Sequence, residues 1–122
     1  MVMALASATA FAHHSSALVY DRGRIIEAEG IITEVKWANP HVRFTMRGAE
    51  PGGVERAWGI ESNAVSVVSR FGLTADLVAA GTRVKLAGNP GRTVDAILWV
   101  TNMLLPSGQE ILFGANIEPR WS

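Results

Sequence analysis

The feature that most narrows what this chain can fold into is a long strand pattern that changes phase. From Arg24 to Trp37 apolar and polar residues alternate, the period of a half-buried β-strand. Ile26 and Ala28 share one face, opposite Glu27 and Glu29. Further on, Ile31, Thr33, Val35 and Trp37 oppose Glu34 and Lys36. A shift of one residue sends every following side chain to the other face, so the pattern predicts a glycine bulge at Gly30-Ile31. A long first strand bent in this way can serve two sheets, as a small closed barrel requires.

The remaining elements fit that idea. Asn39-Pro40 favours an extended or turn backbone and predicts a sharp bend. A second strand follows over His41 to Arg47, with Val42, Phe44 and Met46 facing the core and His41, Arg43, Thr45 and Arg47 on the polar face. Pro51-Gly52-Gly53 marks a hairpin loop, and a third strand runs from Val54 to Glu61 with Trp58 and Ile60 as its anchors. Asn63 has the chemistry of an N-cap for a helix over Ala64 to Phe71, where Val65, Val68 and Phe71 recur at helical spacing before Gly72. Glu61, beside Ser62-Asn63, reads as helix-start chemistry. Thr74 is placed to cap a second short turn, Ala75 to Ala80. A fourth strand covers Thr82 to Gly88, Asn89-Pro90-Gly91 predicts a turn, and a last strand spans Val94 to Leu105. Pro106-Ser107-Gly108 then folds the chain back towards Ile111-Leu112-Phe113.

Three strands, one helix and two further strands, with a kinked first strand, is the order of the five-stranded Greek-key OB barrel. The expected fold is therefore mainly β, an OB-like barrel with its helix between strands three and four. A different small antiparallel barrel or sandwich is the alternative. Such a barrel names no function by itself.

Composition bounds the partners. The chain has 122 residues, the size of one domain with a modest core. Its 11 Lys+Arg and 11 Asp+Glu give a formal net charge of zero, without the positive excess of a nucleic-acid binder. The absence of cysteine leaves metal binding to imidazole, carboxylate and backbone groups. Residues 1–12 are small and apolar and end in Ala10-Phe11-Ala12, an A-x-A pattern. They read as a signal-peptide remnant lacking its positive n-region, ahead of a barrel domain over residues 13–122. The expectation is a periplasmic or secreted protein with no membrane-spanning segment.

Ala12-His13-His14-Ser15, then Tyr20-Asp21, then Gly30 to His41 in the form G-x-[VI]-x-x-[VI]-x-W-x-N-P-H resemble a family of small exported bacterial proteins of unknown function. Trp58, Gly81 and Pro106-Ser107-Gly108 fit the same pattern, whereas Ser16-Ala17 stands where it carries an aromatic residue. The resemblance covers most of the chain after residue 12. It implies export and an OB-like fold, and it brings no activity or catalytic residues.

The residues themselves point to a binding protein and not an enzyme. No Ser-His-Asp arrangement, phosphate loop or close carboxylate pair in an apolar setting stands out. The chemistry with most support is a transition-metal site for copper or zinc built from His13, His14 and His41, with Asp21 as a further ligand. Cleavage after Ala12 would make His13 the N-terminus, able to chelate through both amine and imidazole. Cleavage after Ala10 would put His13 third, which suits square-planar Cu(II) through backbone nitrogens. The alternative is a ligand- or protein-binding barrel without metal, in which Trp37, Trp58 and Trp99 line a groove and Arg43 and Arg47 meet an anion. Set against these readings, a His pair near a terminus is often a solvated segment, and each Trp in a small barrel is often a packing residue.

Overall fold

The computed structural model describes residues 16–122. Among these, six strands form one sheet: β1 (Ile26–Lys36), β2 (Arg43–Ala49), β3 (Arg56–Glu61), β4 (Arg83–Pro90), β5 (Ile97–Leu104) and β6 (Glu110–Leu112). The order is β3-β2-β1-β4-β5-β6, and a pairing of β3 with β5 closes the first five into a barrel. β1 reaches both neighbours: its residues 26–31 pair with β4 and its residues 29–36 with β2, both antiparallel. The closing pair is parallel, Gly59 to Glu61 against Ile97 to Trp99. Helix α1 (Val65–Arg70) and a 3-10 turn (Ala75–Val78) lie between β3 and β4. This is the OB-like arrangement that the element order predicts, with β6 added along β5.

The bend in β1 is real but lies three residues further on. The register with β2 skips at Thr33, between Ile32 opposite Met46 and Glu34 opposite Thr45. Thr33 is the extra residue, and its hydroxyl donates to the Thr45 carbonyl at 3.1 Å. As a result Ile32 is buried and Ile31 points outward, 40% exposed, the reverse of the expected faces. β5 carries a matching bulge at Thr101, skipped between Val100 and Asn102 in the register with β4. Its hydroxyl lies 3.2 Å from the Ala87 carbonyl and 2.8 Å from Asn102 Oδ1. Two threonine bulges therefore bend the sheet, each with a hydroxyl beside a carbonyl that the skipped residue leaves opposite it.

Gly30 has a different role from the bulge expected of it. It is paired with Gly48, and a Cβ on Gly30 would stand 2.2 Å from the Arg47 carbonyl oxygen; one on Gly48 would stand 2.2 Å from that of Glu29. The two strands approach so closely here that only hydrogen fits.

The core follows the alternation. Val42, Phe44, Met46, Trp58, Ile60, Val84, Leu86 and Leu98 are buried together, and Val68, Leu73 and Val78 from the helical connection join them. Trp37, expected in the core, packs against this cluster half-buried. Asn89 and Pro90, expected in a turn, are buried residues of β4 opposite Trp99 and Leu98. Asn89 keeps its side-chain amide satisfied by donating to the Arg24 carbonyl at 2.8 Å. That outward polar contact is what local turn propensity does not register.

α1 begins one residue later than expected and is capped from elsewhere. Its N-cap position is Ala64, which makes no side-chain cap. Instead Asn39 Oδ1 accepts the Val65 backbone N–H at 3.0 Å, across 26 residues. Asn63 contributes through its backbone, its carbonyl accepting the Val42 N–H at 2.9 Å. Gly72, with φ of 97°, ends the helix in the left-handed conformation typical of helix C-termini. Asn39→Ala is expected to cost about 1 kcal/mol of stability and Asn63→Ala less than about 0.5 kcal/mol, read from urea unfolding midpoints.

The last residues fold onto β6 through one carboxylate. Glu110 accepts the backbone N–H groups of Arg120, Trp121 and Ser122 and the Asn102 amide, all at 2.8 to 3.0 Å. Burial works against its charge, but the Arg120 N–H, the Asn102 amide and the remaining donors outweigh it and hold its pKa at about 2. Because this folded-state value lies below that of an unfolded glutamate, the stabilisation is complete above pH ~4.5 and is lost as pH falls towards 2. Acid titration followed by Trp121 fluorescence or backbone NMR is expected to release residues 118–122 in that window, and Glu110→Gln to weaken their docking already at neutral pH.

Candidate functional site

On the outside of the barrel, where it closes, strand register builds a polar cluster. Arg43 of β2 pairs with Glu61 of β3, and Glu61 pairs in turn with Trp99 of β5. In β3 Trp58 and Ile60 point inward, so Glu61 points out. Three donors converge on its carboxylate. Tyr20 Oη donates to Oε1 at 2.8 Å, His41 Nδ1 approaches Oε2 at 2.9 Å, and the Arg43 guanidinium donates to Oε2 at 3.0 Å. These donors come from the segment before β1, the turn before β2 and β2 itself.

Trp99 is the platform under this cluster. Its neighbours Leu98 and Val100 belong to the core, so alternation turns Trp99 outward, yet it is only 9% exposed. The His41 ring meets it edge-on with centroids 5.5 Å apart, Tyr20 packs at 5.8 Å, and the Arg22 guanidinium lies 5.5 Å above the indole. The segment carrying Tyr20 is held along the same side: Asp21 N–H donates to the Pro90 carbonyl, Arg92 N–H to the Val19 carbonyl and Arg92 Nε to the Ala17 carbonyl.

The hydrogen-bond geometry sets the state of His41. An ionised carboxylate is only an acceptor, so the nitrogen facing Glu61 carries the proton. Nδ1–H is therefore committed to Oε2. Nε2 forms no hydrogen bond among the described residues, and in the neutral ring it holds the free lone pair. The side chain is 28% exposed, so this lone pair is reachable from solvent. A carboxylate on one imidazole nitrogen with the other left open is the arrangement that orients metal-binding histidines.

The candidate ligands fare unequally. His41 is on the polar face, as alternation predicts. Asp21 does not join it: its Oδ1 accepts the Gly23 N–H at 3.0 Å and shapes the turn before β1. His13 and His14 lie outside the described residues, as do the A-x-A pattern and the rest of residues 1–12. Among the described residues no three His, Cys, Asp or Glu side chains group as a metal set, and no helix is long and apolar enough to cross a membrane. Of the tryptophans offered as a groove, Trp58 is buried with its Nε1–H donated to the Gly48 carbonyl at 3.1 Å, and Trp37 packs on the core. Arg43 and Arg47 are both in ion pairs, with Glu61 and Glu55.

Sequence reasoning missed Glu61, the centre of the cluster. It ends the third strand, as expected, but the helix start assigned to it is served by Asn39. The Trp58/Ile60 alternation carries the signal that Glu61 shares a face with Arg43 and His41. Tyr20 and Trp99 left no such signal, because what brings them in is pairing across the whole chain.

The chain belongs to a family of unknown function, DUF6152, whose match covers residues 2–97. That span includes Tyr20, His41 and Glu61 and ends at Ile97, the first residue of β5, two residues before Trp99. No curated protein matches the chain.

Tyr20 is the one tyrosine in the sequence, which makes the cluster accessible to a direct titration. Its phenol is pushed far above its ordinary value, first by burial and then by the hydrogen bond to Glu61 and the carboxylate charge. A raised folded-state value means the stabilisation is intact below pH ~10 and declines as pH rises beyond it. Phenolate absorbance is expected to stay silent through pH ~10 and to appear only with alkaline unfolding. Glu61→Ala should bring the phenolate signal to lower pH in the folded protein, and an unshifted titration would argue against the coupling.

Proposed function

We propose that this protein is an exported binding protein, and not an enzyme, that holds a transition-metal ion, copper or zinc, through histidine. The observation that carries the reading is His41: its Nδ1–H is fixed by Glu61 while its Nε2 remains open. Imidazole nitrogen suits both ions, and a chain without cysteine has no thiolate to compete. His13 and His14 supply the further nitrogens on this reading. Their segment is favoured because it leads directly into Tyr20, which is tied to the same Glu61 carboxylate as His41. Export rests on the small apolar residues 1–12 and the Ala10-Phe11-Ala12 pattern, and would leave His13 at or near the mature N-terminus.

In this reading the parts divide the work. His41 Nε2 is a ligand. Glu61 sets its tautomer and orientation, and Arg43 and Tyr20 hold Glu61. Trp99 limits rotation of the imidazole ring. A metal-free binding barrel is the second reading, favoured by a shallow groove of about 290 Å³ beside the cluster, between Tyr20, Arg43, Gly59 and Ile97.

Titration calorimetry with Cu(II) and Zn(II) tests the first reading on protein beginning at His13 and on protein beginning at Phe11. His41→Ala is expected to remove the tighter binding of the first form, and Glu61→Gln to weaken it by about 10- to 100-fold. Binding that is unchanged by His41→Ala in both forms removes His41 from the site and the reading with it.

A further inference from the structure

A second cleft lies on another side of the closing seam, at the end of the barrel. It has a volume of about 250 Å³ and is formed by the chain before β1, the β2–β3 hairpin and the loop into β5. Four charged side chains line it: Arg24, Arg56, Glu50 and Asp95. Elsewhere four arginines find carboxylates, among them Arg47–Glu55, Arg83–Glu29 and Arg120–Glu27. Here two cations and two anions share one small cleft, and none of the four side chains makes an ion pair or hydrogen bond among the described residues.

Between the charges the exposed lining is mostly polar; Ile26, Ile97 and Trp58 border it with little exposed surface, and Val94 is 55% exposed at the rim. The backbone of one wall is strained. Ala96, next to Asp95, has φ of 54°, the only residue other than glycine with positive φ among the described residues. Its carbonyl accepts the Gly59 N–H at 2.9 Å, so barrel closure holds this conformation. A Cβ there is unfavourable, and such strain is found preferentially where a loop has been shaped to meet a ligand.

We infer that this cleft binds a small zwitterion, an α-amino acid. Its carboxylate meets Arg24 and Arg56, its ammonium meets Asp95 and Glu50, and its side chain lies towards the rim beside Val94. A simple anion would leave the two carboxylates facing its charge, and a simple cation would face the two guanidiniums. A zwitterion presents both signs, which is the complement of the charges that line the cleft. The size agrees, because a 250 Å³ cleft falls just below the usual range for drug-sized ligands, roughly 300–1,000 Å³. The inference does not depend on His41 or on any metal.

The test uses L-leucine against two analogues that each lack one charge, 4-methylpentanoate and 3-methylbutylamine. Binding is followed in the full chain by NMR shifts of the Trp58 indole and Ala96 amide, with metal absent. The expected result is saturable binding of leucine in the millimolar range or tighter, with both analogues weaker by about 10-fold or more, as loss of a charge-assisted contact implies. Arg56→Ala and Asp95→Asn, both at exposed side chains, should each weaken leucine by a similar factor while the fold is kept. Three outcomes overturn the inference: no saturable shift up to ~20 mM leucine, equal binding of either analogue, or leucine binding that survives both substitutions.

Discussion

Closure of the barrel rests on three residue pairs, Gly59–Ile97, Ile60–Leu98 and Glu61–Trp99, the one parallel pairing in the described sheet. Both the cluster around Glu61 and the charged cleft draw residues from this seam. Its outward row joins Glu61 to Trp99 and so assembles the cluster around Glu61. Its other end fixes Ala96 and Ile97, which wall the charged cleft. A three-pair ladder is short, and its support comes from elsewhere: the buried Ile60 and Leu98 beneath it and Tyr20 spanning it from above. Loss of the Tyr20 contact would therefore be felt by both the seam and the site.

The strands and most of the inward-facing residues were legible in the sequence because a half-buried strand has a strict period of two. Val42, Phe44, Met46, Trp58, Ile60, Val84 and Leu86 all lie where alternation puts them. Order of elements then sufficed for the OB-like topology. The bulge was legible as a phase change but not in place. Gly30 attracted the assignment because glycine often marks bulges, whereas its actual role is the close approach to Gly48, and Thr33 is the bulged residue. Nothing local separates a glycine needed for space from one needed for a bulge.

Of the cluster, the sequence offered His41 as a ligand and Arg43 and Trp99 only as parts of a groove, without their convergence on Glu61. Glu61 depends on register between β2 and β3, and Trp99 on a parallel pairing of strands nearly forty residues apart. Such contacts follow from the closed topology and from no short-range pattern. Asn39 shows the same limit. Its side chain caps α1 from a distant turn, while Asn63, in the sequence position of a cap, uses only its backbone. Proximity in sequence favoured the wrong asparagine.

The turn between β1 and β2 now has a further property. Asn39 is bound to the helix and His41 to Glu61, so the two residues either side of Pro40 are anchored to different parts of the protein. The turn cannot swing without uncapping α1 on one side or releasing the imidazole on the other. Rotational freedom of the ring has thus been surrendered during folding, before any ligand arrives. Whatever meets Nε2 meets a lone pair that is already aimed, and the entropy of ordering the ring is charged to folding and not to binding.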